Sequence, residues 1–101
     1  MGIVRPKEWT QDLPDGFTVE VVLKTFLSKI VSFSVVLLKD GQCISRYDTT
    51  HGFAHRDVLG QKNASPLRKI KYTMRLTEVF NYARKDFAQN YAKHYEYYQN
   101  H

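Results

Sequence analysis

The chain has 101 residues and a formal charge of +5, with 43% hydrophobic and 14% aromatic side chains. That length suits one domain with one small core, and the composition excludes a chain left disordered for lack of apolar surface. The longest apolar run, residues 30–38, is broken by Ser32 and Ser34 and falls short of the ~20 residues that span a bilayer, and no apolar leader is visible, so a cytoplasmic protein with no membrane contact is expected.

Residues 1–17 mix Pro6, Pro14, Trp9 and an Asp15-Gly16 turn signal without a sustained period. They read as an irregular N-terminal arm, tucked onto the body by Trp9 and Phe17. Residues 18–27, rich in Val, Thr and Phe, predict a strand, and Ser28-Lys29 a tight hairpin. The second strand, 30–38, puts Val31, Phe33, Val35 and Leu37 on one face and Ser32 and Ser34 on the other. Asp40-Gly41 is a strong hairpin signal leading into a third strand over 43–48. Residues 60–66 are polar and end in Ser-Pro, a loop. Residues 67–72 then alternate Leu67, Lys69 and Lys71 against Arg68, Ile70 and Tyr72, which predicts a fourth, edge strand whose lysines oppose aggregation.

From Leu76 the period changes. Leu76, Val79, Phe80, Ala83, Phe87, Tyr91, His94 or Tyr95, and Tyr98 recur at helical spacing, predicting an amphipathic helix over 77–98, with Thr77 as N-cap and Glu78 in its first turn. The expected fold class is α+β: a single domain, 1–101, in which residues 18–73 build an antiparallel sheet of about four strands with a His-rich loop at 48–57, and one long C-terminal helix packs on a face.

Charge and cysteine add context. Residues 1–57 are electrically balanced, so all of the excess positive charge lies in 58–101. A basic half suits an acidic partner, RNA or an acidic protein, and equally describes a solvated surface. Lys69 and Lys71 on the strand and Arg84, Lys85 and Lys93 on the helix interleave with tyrosines, of which Tyr82 and Tyr97 fall off the core face. Basic residues beside aromatics can grip phosphates and stack on unpaired bases; a solvated face or a homodimer contact is the alternative. Cys43, the lone cysteine, suits a reducing compartment and reads as a structural thiol.

The densest polar stretch is residues 46–57, which holds Arg46, Tyr47, Asp48, His51, Gly52, His55, Arg56 and Asp57. Strand alternation puts Arg46 and Asp48 on one face and Tyr47 on the core side. Gly52 permits a positive φ, which lets the chain reverse and bring His51 and His55 toward each other or toward Asp48. Two imidazoles can serve acid and base steps near neutral pH, Asp48 or Asp57 can orient them, and Arg46 or Arg56 can hold a phosphate bidentately. Those are the parts of a metal-independent ribonuclease: a base for the 2′-hydroxyl, an acid for the leaving oxygen and a cation for the developing charge. Two alternatives stay open. The aspartates could simply order the loop through hydrogen bonds to His and Arg, or His51, His55 and an aspartate could form a loop metal site. The His51-x3-His55 spacing matches helical zinc sites, but Gly52 argues against a helix, and no cofactor is expected.

The run Arg46-Tyr47-Asp48, His51-Gly52, His55-Arg56-Asp57, set between an apolar hairpin and a helix, resembles a small prokaryotic family with an Arg-Tyr-Asp-x-x-His-Gly-x-x-His-Arg-Asp signature. Over roughly residues 30–98 it is distantly similar, through that family, to TumE-type toxins of type II toxin-antitoxin operons. Ala54 stands where that signature has Pro, so the loop is expected to be less rigid. The resemblance implies a fold and a site rather than a reaction. Two functions follow as expectations. One is a toxin-like endoribonuclease, with His51, His55, Asp48 and Asp57 catalytic and Arg46, Arg56, Lys69, Lys71, Arg84 and Lys85 on the substrate. The other is a non-catalytic module that binds nucleic acid or an acidic antitoxin-like protein through the basic C-terminal half.

Overall fold

Consecutive β-prone runs joined by short turns favour neighbour-to-neighbour pairing, and the chain forms a meander. A computed structural model describes residues 3–49, 52–63 and 65–101. Among these, β1 (Arg5–Asp12), β2 (Phe17–Phe26), β3 (Lys29–Lys39), β4 (Gln42–Asp48), β5 (Ala54–Val58) and β6 (Arg68–Tyr72) pair antiparallel in chain order. One helix, α1 (Leu76–Asn100), packs on a face of that sheet, so the class is α+β. No helix among the described residues is long and apolar enough to cross a membrane.

The sheet has six strands where about four were expected, and both additions have a physical reason. The supposed irregular arm contains β1, which pairs residue for residue with β2 from Arg5↔Thr25 to Asp12↔Thr18. Only Trp9 of β1 is partly buried, so the strand leaves no alternation to read; backbone pairing holds it, and Pro6 is tolerated because β1 is an edge. The second addition is β5, cut from the stretch read as loop 48–57; its His, Arg and Asp masked a strand whose only apolar residues, Ala54 and Val58, are buried on either side of Arg56. The β2–β3 turn lies at Leu27-Ser28, one residue before the expected Ser28-Lys29. At the helix start Arg75, not Thr77, occupies the N-cap, with no side-chain cap, and its carbonyl accepts from the Val79 N–H at 3.1 Å.

Asp40 and Gly41 have φ of 48° and 84°, the paired left-handed geometry of a type I′ hairpin. A Cβ on Gly41 would meet nothing within 4 Å, so its replacement probes backbone strain alone. Gly41→Ala is expected to cost about 1 kcal/mol and lower the melting temperature by about 4–8 °C, as read by calorimetry.

Register decides which side chains meet the helix. The row Val21, Val35, Tyr47, Arg56 and Ile70 faces α1, while its neighbours Ser34, Asp48, His55 and Lys71, and Val36, Arg46, Asp57 and Lys69, face away. On the helix side Val19, Val21, Phe33, Val35, Leu37 and Tyr47 close on Val79, Phe80, Ala83 and Phe87, the stripe that helical spacing predicts. The helix backbone departs from regular geometry at Asn90, with φ −121° and ψ 20°.

Candidate functional site

The 46–57 stretch splits across the sheet. On the face away from the helix, Asp57 and His55 are each 1% exposed. Asp57 accepts from Arg46 Nε at 2.6 Å and from Lys69 Nζ at 3.0 Å, and His55 Nε2 lies 2.9 Å from Asp48 Oδ1 and 3.7 Å from Asp57 Oδ1. Burial opposes ionisation of Asp57, but the hydrogen bonds from Arg46 and Lys69 outweigh it and hold its carboxyl below the usual range. The hydrogen bond to Asp57 likewise strengthens protonation of Arg46. Asp48, His55 and Asp57 offer ligand atoms within 4.8 Å of one another, the spacing of a metal group. Arg46 and Lys69 already neutralise that carboxylate pair, so a bound cation would have to displace them. The arrangement is an ion-paired layer with His55 and Asp57 buried at its centre and the Arg46 and Lys69 side chains half-exposed at its edge.

On the other face a second polar network joins sheet to helix. Asp86 accepts from Tyr47 Oη at 2.7 Å, from His94 Nε2 at 2.9 Å and, on its other oxygen, from Asn90 Nδ2 at 2.9 Å. Burial works against the Asp86 charge, but these donors outweigh it and its carboxyl is lowered from 3.8 to about 2. Tyr47, 1% exposed, has its phenol pushed well up by burial and then by the hydrogen bond to Asp86. Eight residues of straight helix rise about 12 Å, so Asp86 and His94 meet only by leaning together, and the distortion at Asn90 lies midway between them. From His94 the network continues: Arg56 Nη1 lies 3.5 Å from His94 Nδ1 and 3.4 Å from Ser45 Oγ.

This network borders a cleft of about 140 Å³ lined by Ser45, Arg56, Arg68, Lys93, His94 and Tyr97 with Ile44, Val58 and Leu59. Among the described residues its lining contains two arginines, a lysine and a histidine, and no carboxylate. Among the described residues Arg56 has hydrogen-bond partners only in Ser45 and His94, neither of them anionic. A partly buried guanidinium normally sits against a carboxylate or phosphate.

The expected site residues therefore do not converge. Arg46, Asp48, His55, Asp57 and Lys69 form the layer on one face, joined at its margin by Lys71, whose Nζ lies 4.6 Å from the centre of the Phe53 ring. Arg56 points to the opposite face. Arg84 sits far along the helix over Trp9 and Phe80, at 5.3 and 5.7 Å, and Lys85 is exposed without lining the cleft. His51 lies outside the described residues, although Gly52 beside it has the anticipated positive φ of 79°. Burial raises the Cys43 thiol, as an inert structural cysteine requires.

From sequence His94 is read only as a possible position of the packing stripe, and Asp86 is given no role. The signal was present in the spacing Asp86-x3-Asn90-x3-His94, which sets three polar residues along one helix face otherwise read for its aromatics.

A family model described as a domain of unknown function (DUF7718) matches residues 4–101. No curated protein and no solved structure matches the chain.

Proposed function

The chain belongs to the DUF7718 family, and we propose that it binds single-stranded RNA, holding a backbone phosphate in the cleft between β5, β6 and α1. One observation carries the reading. Arg56 enters a cleft shared with Arg68, Lys93 and His94, and no carboxylate of the described residues pairs with it. An oxyanion supplies the missing charge, and a cleft of about 140 Å³ suits a tetrahedral group better than the flat face of an acidic protein. Tyr97, exposed at the rim and stacked on His101 with ring centroids 3.9 Å apart, supports the reading as an aromatic on which a base next to the bound phosphate would stack in place of that imidazole. The surplus of positive charge in residues 58–101 favours the same class of ligand.

The resemblance to TumE-type toxins keeps a second ligand open. In a toxin-antitoxin setting an acidic antitoxin-like protein would use the same cations, and its binding would exclude RNA.

Fluorescence anisotropy with a labelled single-stranded RNA tests the reading across a salt series. Arg68→Ala/Lys93→Ala alters exposed ends of the cleft and should leave the fold intact. It is expected to weaken binding by at least an order of magnitude and to lower the salt slope by about 1 to 1.5, near 0.7 for each phosphate no longer neutralised. Affinity indifferent to salt and to the double substitution would remove RNA as the ligand. Loss of RNA binding in the presence of an acidic protein would identify the competitor.

A further inference from the structure

We propose that the Asp86–His94 pair makes this cleft catalytic, with His94 Nδ1 as the general base for transesterification of the bound RNA; the inference rests on the binding reading above. The argument starts from proton placement. A carboxylate can only accept, so His94 Nε2, 2.9 Å from Asp86 Oδ2, carries the hydrogen. In the neutral ring this leaves the lone pair on Nδ1. Arg56 Nη1, a donor only, is the group that faces it at 3.5 Å. Arg56 therefore covers the base until a substrate arrives. A phosphate that engages the guanidinium draws it off Nδ1 and brings the adjacent sugar to the imidazole.

Asp86 acts as a positioning residue. Tyr47 and Asn90 hold its two oxygens at 2.7 and 2.9 Å, so the carboxylate is fixed from the sheet and from its own helix. It selects the tautomer, sets the ring angle and stabilises the imidazolium formed when Nδ1 takes a proton, the roles a carboxylate plays beside a catalytic histidine. Its depressed pKa keeps it ionised at every pH where RNA is handled. His55 has a comparable carboxylate contact, but it is 1% exposed and faces the opposite side of the sheet from the cleft.

The step balances without an oxidant, a metal or a water. The 2′-oxygen attacks the phosphorus as its proton passes to His94 Nδ1; the bond from phosphorus to the 5′-oxygen breaks, and the proton returns from the imidazolium through solvent to that oxygen. The products are a 2′,3′-cyclic phosphate and a 5′-hydroxyl. Arg56, Arg68 and Lys93 are the cations available for the charge that develops on the non-bridging oxygens.

The test measures binding and cleavage of one labelled single-stranded RNA in the same solution, with chelator present, beside the fully 2′-deoxy oligonucleotide of the same sequence. The expected result is cleavage of the RNA to 2′,3′-cyclic phosphate ends and no cleavage of the deoxy strand, a comparison that needs no variant to fold. With each form at a concentration that saturates the RNA, His94→Ala is expected to cleave it about 100- to 10,000-fold more slowly than the wild type. RNA bound but uncut by the wild type overturns the catalytic inference and leaves the binding reading standing. So does cleavage unaffected by His94→Ala, or cleavage abolished by chelator. Absence of RNA binding overturns both.

Discussion

Asp86→Ala is expected to destabilise the protein by about 3 kcal/mol or more, read as a lower denaturant midpoint with an unchanged m-value. The substitution removes the one acceptor shared by Tyr47, His94 and Asn90. Tyr47 is 1% exposed, so its hydroxyl loses its carboxylate partner inside the core, which costs about 1–3 kcal/mol by itself, and hydrogen bonds to a charged group are worth about 1.5–3 kcal/mol. Tyr47→Phe deletes donor and demand together and should cost less, about 1–2 kcal/mol. In a double-mutant cycle the two changes should be far from additive, because they remove the same bond.

The same carboxylate predicts the shape of acid denaturation. Asp86 ionises at about 2 in the fold against 3.8 in the ordinary state, so the folded form is the weaker proton binder. Its contribution is present in full above pH 4 and drains away as the pH falls toward 2; that shift corresponds to about 2 kcal/mol. Asp57, lowered in the same direction, adds to the loss in the same acid range. A stability profile measured from pH 6 down to 2 should therefore fall less steeply for Asp86→Asn than for the wild type. Equal slopes would mean that the carboxylate is not held by His94 and Tyr47 as the geometry has it.

What could be read in the sequence and what could not divide along one line. Elements that bury an alternating or helical apolar pattern were legible: Phe33, Val35 and Leu37 in β3, and Val79, Phe80, Ala83 and Phe87 in α1, all line the core. The Asp40-Gly41 turn was legible because its backbone demands residues that tolerate positive φ. Elements whose sequence shows no sustained apolar alternation were not. β1 exposes nearly all its side chains, and β5 carries Arg56 toward the helix and His55 and Asp57 away from it. The cleft was illegible for a related reason. Ser45, Arg56 and Arg68 come from three strands and Lys93, His94 and Tyr97 from a helix more than twenty residues further on, so no window of sequence contains it. Motif density points to 46–57, whereas Arg46, Asp48, His55 and Asp57 ion-pair with one another on the face away from the helix and, among the described residues of that stretch, only Arg56 lines the cleft.

That division can be tested at Asp57. Asp57→Ala is expected to cost about 2–3 kcal/mol, because it leaves Arg46 and Lys69 without their carboxylate and opens a gap beside the buried His55. The figure is below the ~3–5 kcal/mol typical of a broken buried pair, since the Arg46 and Lys69 side chains are 42% and 49% exposed and water can take up part of the lost interaction. RNA affinity per folded molecule should stay within about twofold of the wild type, because Asp57 lies on the far side of the sheet from the cleft. The measurement pairs a urea titration with RNA binding under conditions where the variant is fully folded. Loss of stability with retained binding is the signature of a structural layer. A variant of undiminished stability that no longer binds RNA would move the site back to residues 46–57 and leave the unpaired charge of Arg56 without its proposed ligand.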